Sequence, residues 1–157
     1  MLSAPAQKVG SSAQKKEGFT LRLAQSRSYY VGELKGFPAP TGESRVWKIK
    51  PGTRHATCGS SEDCEVFADG FTSIIDLAFG PDGTLYVVEL DEASWFAVEI
   101  GAITGGTVNA CDTSTGACAE VATGLPIVTA ATVSKDGTVS VVINGLVPGA
   151  VAIRTLP

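Results

Sequence analysis

Cysteines and carboxylates are the residues through which this sequence could do chemistry. Cys58 and Cys64 bracket Gly-Ser-Ser-Glu-Asp, and Cys111 and Cys118 bracket Asp-Thr-Ser-Thr-Gly-Ala. An even number of cysteines in two short loops favours two local disulfides, and with them an oxidising compartment. A zinc site would need a ligand set such as Cys-x2-Cys, which neither spacing supplies. Free buried thiols and pairing across the loops, Cys58 with Cys111 for instance, stay open.

Glu33 and Glu89 stand in matching contexts, Tyr30-Val31-Gly32-Glu33-Leu34 and Tyr86-Val87-Val88-Glu89-Leu90. Asp76 lies within the apolar run Ile74–Phe79, and Asp91 and Glu92 follow just past Glu89. Carboxylates converging on one face bind a divalent cation, Ca2+ being the hard ion that takes oxygen ligands, or a basic or sugar-like ligand. The competing reading is a solvated rim, or carboxylates that bond a neighbouring segment's backbone. Trp95, in the stretch Asp91–Gly106, is either a cover for that face or a packing residue. No cofactor motif is evident, since neither GxGxxG after a strand nor GxxxxGK[ST] occurs. His55, the only histidine, stands beside Arg54 in a polar loop and reads as a surface residue. No Ser or Cys has a paired base, so triad chemistry gets no support and an enzyme is the less favoured class.

The elements that must position these groups repeat along the chain. Phe67–Leu90 aligns without a gap on Val121–Asn144, 54 positions later. Gly70 meets Gly124, Asp82-Gly83-Thr84 meets Asp136-Gly137-Thr138, and Val87-Val88 meets Val141-Val142. A partial third copy, Tyr30–Leu34, precedes Tyr86–Leu90 by 56 positions. In each unit a short apolar strand such as Ile74–Phe79 turns at Asp-Gly and returns as a β-branched strand such as Leu85–Leu90. Third strands are expected at Val46–Ile49 and Thr107–Ala110, fourth strands at Glu65–Ala68 and Ala119–Ala122. Each cysteine pair then lies between a third and a fourth strand. Four antiparallel strands at a period near 50 describe a propeller blade. The inner runs are apolar throughout, as strands covered on both faces require. The expected fold is therefore all-β, a partial β-propeller of about two to three four-stranded antiparallel blades over residues 28–157.

Propellers have four or more blades, so further blades or self-association are expected to cover the faces and edges this set exposes. Residues 1–54 hold ten Lys and Arg against three acids, and residues 55–157 hold two against thirteen. The basic residues are scattered, and Phe19 is the only aromatic among the first 28. That pattern gives nucleic-acid binding no support. Residues 1–27 read instead as a disordered or non-native arm, without a recognisable signal peptide. No apolar run approaches the roughly 18 residues of a membrane span.

The segments YVGELKGFPAPTGESRVWKI and VFADGFTSIIDLAFGPDGTLYVVEL resemble the ScyD/ScyE-type family of bacterial proteins, named after members in scytonemin pigment gene clusters. The resemblance covers about residues 28–157. It implies a secreted or cell-surface, NHL-like propeller of undefined biochemical activity, with blades and a signal peptide ahead of the GELKGFP segment, so that the start of this chain looks truncated. It also implies that GLVPGAVAIRTLP ends in the strand that closes the last blade, near Ala150–Arg154.

The leading expectation is a non-enzymatic module that binds a ligand or partner through its channel face. One alternative is a metal-dependent hydrolase or lactonase, with Glu33, Glu89 and an asparagine such as Asn144 as ligands. The other is a truncated fragment without independent function.

Overall fold

The computed structural model describes residues 28–157; the expected N-terminal arm, residues 1–27, lies outside them. The described chain is all-β, with three antiparallel sheets in sequence order. The first sheet joins β1 (Tyr29–Gly32), β2 (Ser44–Ile49) and β3 (Cys64–Phe71). The middle sheet joins β4 (Ile74–Phe79), β5 (Leu85–Glu89), β6 (Gly106–Cys111) and β7 (Cys118–Leu125). The last joins β8 (Ala130–Val133), β9 (Val139–Ile143) and β10 (Ala152–Thr155). Among the described residues a single short helix, α1 (Trp95–Glu99), interrupts the stretch between β5 and β6.

The sequence repeat is a structural repeat. In the β4–β5 hairpin Gly80 N–H donates to Thr84 O at 2.8 Å, and Asp82 Oδ1 accepts from Thr84 N–H at 3.0 Å. In the β8–β9 hairpin Ser134 N–H donates to Thr138 O at 3.0 Å, and Asp136 Oδ1 accepts from Thr138 N–H at 3.1 Å. Gly83 and Gly137 take φ of 91° and 88°, a region open to glycine at little steric cost. The two turns are one device used twice.

Packing explains the unbroken apolar runs. Leu85 and Val87 of β5 join Val46, Phe71, Ile74 and Cys111 in one core cluster. Val88 of the same strand joins Val108, Leu125, Val128, Val141 and Ile143 in another. Thus β5 is buried on both faces, one toward the first sheet and one toward the last, and cannot alternate apolar with polar. Its neighbour β4 departs from the expected full coverage, for Ile75 is 39% and Phe79 49% exposed. That strand has β5 on one side only.

Strands β4 and β8 lie against one another, as do β1 and β4. By the repeat β1 holds the place of β5, so among the described residues the first sheet has no counterpart of β4. Likewise β10 holds the place of β6, and the last sheet has no described counterpart of β7. The strand expected at Ala150–Arg154 thus forms at Ala152–Thr155, as the third of its sheet, pairing Ile153 with Val142.

Both disulfides are local, Cys58–Cys64 and Cys111–Cys118, with Cα–Cα distances of 5.2 and 4.0 Å. Cys111 and Cys118 are also direct cross-strand partners of β6 and β7, so the second disulfide clips a hairpin shut. Pairing of Cys58 with Cys111 is thereby excluded, and no described cysteine is free. Two such bonds fit an extracellular protein. No described helix is long and apolar enough to cross a membrane.

Candidate functional site

The expected carboxylates lie toward the end of the sheets where β5 and β9 finish and β4, β6 and β8 begin, each with partners of its own. Their surroundings assign each a different task. Asp91 is fully buried and accepts four hydrogen bonds. Its Oδ2 takes the N–H groups of Thr104 and Gly105 at 2.9 and 2.8 Å. Its Oδ1 takes Ala93 N–H and the Thr104 hydroxyl at 2.9 and 2.7 Å. This carboxylate ties together the two ends of the insertion 91–106 and has no free lone pair aimed at solvent. Asp76 is likewise engaged, with its Oδ2 accepting from the Ala131 N–H of β8 at 2.8 Å. It joins the middle sheet to the last.

Glu89 remains as the centre of the site. Asn109 Nδ2 donates to its Oε1 at 2.7 Å, and the Thr72 N–H donates to its Oε2. Glu92 beside it accepts from the Thr107 hydroxyl at 2.6 Å. Burial pushes the Glu89 carboxyl above the ordinary glutamate value of 4.5, against the pull of its two donors and helped by the negative charge of Glu92. Glu33, the counterpart on the first sheet, pairs its Oε1 with Lys35 Nζ at 2.8 Å. Among the described residues no group of three His, Cys, Asp or Glu side chains is placed to hold a metal ion.

A raised carboxyl pKa fixes the sign of a pH effect. The folded chain keeps the Glu89 proton to a higher pH than the unfolded chain does. Stability therefore falls as pH rises from 4.5 through the raised value. Urea midpoints of wild type and Glu89→Gln, measured from pH 4 to 8, should diverge across that window, with the variant gaining relative to wild type as pH rises. A difference independent of pH would contradict this assignment.

Trp95 is a latch. Its indole Nε1–H donates to Lys35 O in the β1–β2 loop at 2.8 Å, and its backbone N–H donates to Ser73 Oγ at 2.8 Å. Phe96 follows and meets Phe37 edge to face at 5.5 Å. The helix thereby carries the insertion across to the first sheet. Phe37 is left 74% exposed at that junction.

Asn109 was not singled out by sequence. Its only signal is a polar amide inside an otherwise apolar strand, buried at 7% exposure. From β6 it reaches Glu89 diagonally, since the residue directly opposite Glu89 is Thr107. His55 is exposed, as expected. Trp47 packs on β2, also as expected. Asn144 follows β9 with φ of 54° and donates its backbone N–H to Pro126 O at 2.7 Å. A cleft of 630 Å3 opens at the opposite end of the sheets, lined by Ser28, Tyr30, Lys48, Phe79, Pro81 and Thr113. None of the expected site residues lines it.

No family model, curated protein or solved structure matches this chain.

Proposed function

We propose that this chain forms blades of a secreted or cell-surface β-propeller of the ScyD/ScyE type, and that it binds a ligand through the Glu89 face without catalysing a reaction. The observation that carries the propeller reading is β5, buried on both faces between sheets whose hairpins repeat at 54 positions. Supporting it, β4 and β8, the first strands of the middle and last sheets, lie against one another, as innermost strands around a channel do. Further blades, or other copies of the chain, cover the two outer faces. The two disulfides support the secreted setting.

The binding reading rests on the array Glu89, Asn109, Thr107 and Glu92, which sets two carboxylates beside an amide and a hydroxyl. Such a set suits a basic or polyhydroxylated ligand. Thermal melting with a polyamine, a neutral oligosaccharide and calcium chloride tests it. The polyamine or the oligosaccharide should raise the Tm of wild type and leave Glu92→Gln unmoved. No shift with any of the three would overturn the reading. Calcium stabilisation together with lactone turnover that Glu89→Gln abolishes would replace it with a metal-dependent hydrolase.

A further inference from the structure

The middle and last sheets show what a junction between neighbouring sheets consists of. Val88 of β5 and Val108 of β6 are cross-strand partners. They pack against Val139 and Val141 of β9 in one core cluster, and all four are buried.

Both halves of that junction recur, uncovered, at the two ends of the described chain. On the last sheet Val142 stands where Val88 does in the repeat. Ile153 pairs with it across β9 and β10 as Val108 pairs with Val88. On the first sheet Tyr29 and Val31 stand where Leu85 and Val87 do, and those in turn match Val139 and Val141. Leu85, Val87, Val88 and Val108 have no exposed surface, whereas Val31 is 47% and Ile153 77% exposed. Each end therefore presents the half of a junction that the other end is shaped to receive. Apolar side chains left open in this way mark a contact surface.

We propose that two copies of this chain associate head to tail, the last sheet of each packing on the first sheet of the other, with Val142 and Ile153 set against Tyr29 and Val31. A patch complementary to a different patch of the same molecule makes a heterologous contact, which ends only when the copies close a ring. The described residues of each copy supply three sheets. Propellers commonly have about four to eight blades, so a ring of two copies falls within that span and a ring of three exceeds it. This pairing rests on reading the sheets as blades, and the residues that make it lie apart from the Glu89 array.

Sedimentation equilibrium on the full chain tests it. The wild-type chain should show twice the mass of one chain at micromolar concentration. Val31→Asp and Ile153→Asp each alter a side chain that is exposed in the single chain, so neither should unfold it. Each should weaken association at least about 100-fold, because the new carboxylate would be buried in both junctions of the ring. Mixed in equal amounts, the two variants should associate at least about tenfold more tightly than either alone, since the mixed pair keeps one junction with both faces intact. Wild-type chain of single mass would overturn the proposal and would point to further blades as the cover. A dimer that either variant leaves intact, or that mixing does not restore, would equally overturn it. If a wild-type chain of single mass still showed the ligand-dependent rise in Tm, the pairing would fall while the Glu89 reading stood.

Discussion

Replacing Asp91 by alanine should destabilise the protein by about 3 kcal/mol, measured by urea unfolding at neutral pH. The substitution removes the acceptor for three backbone N–H groups and one hydroxyl at a fully buried position. Each orphaned buried donor costs about 1–3 kcal/mol, and partial rewetting of the insertion returns some of the sum. Asp91→Asn should recover little, because its amide group would turn a donor toward donors. The damage has a local signature: the amides of Thr104 and Gly105 should lose exchange protection ahead of the strands. A loss below about 1 kcal/mol would mean that the insertion is not held by this carboxylate.

Gly106→Ala should cost at least about 3 kcal/mol, the upper end of what overpacking imposes. A Cβ there would lie 2.2 Å from Glu89 O, 2.7 Å from Leu90 O and 2.5 Å from Val128 Cγ1. Two of those atoms are backbone, at the last residue of β5 and the residue after it, so they cannot turn aside as a side chain would. Relief requires β5 and β6 to part at Glu89 itself. A fall in Tm of about 10 °C is expected for a chain of this size. Gly36→Ala is the control, since its Cβ would meet nothing within 4 Å, and should change stability by less than about 0.5 kcal/mol. Equal melting of the two variants would show that β5 and β6 tolerate separation.

What the sequence disclosed follows from which forces are local. The Asp-Gly turns were legible because a side chain bonding its own backbone two residues on leaves a fixed short signature. The disulfides were legible because their cysteines stand only six and seven positions apart. Glu89 could be placed at the end of a strand, and the burial of both faces of β5 followed from Leu85, Val87 and Val88 standing in one run. The duties of the other carboxylates were not accessible that way. Asp76 reaches Ala131 across 55 positions, and Trp95 reaches Lys35 across 60. Nothing near either residue in sequence specifies its partner. Asp91 looked like a continuation of the acidic rim; only the path of the insertion, bringing Thr104 and Gly105 back to it, turns it into an internal brace.

Because β5 faces one core cluster on each side, most of the apolar stabilisation lies between sheets rather than within any one of them. Such a molecule behaves like a short stack of cards, each held by its neighbours. The two end sheets have one neighbour apiece among the described residues and the middle sheet has two. Opening should therefore begin at the ends and travel inward, with β10, exposed along its whole length, fraying first and β5 exchanging last. Any ligand gripping Glu89 would hold the card that lets go last, so its binding should slow the rare global opening far more than the frequent fraying of the rim.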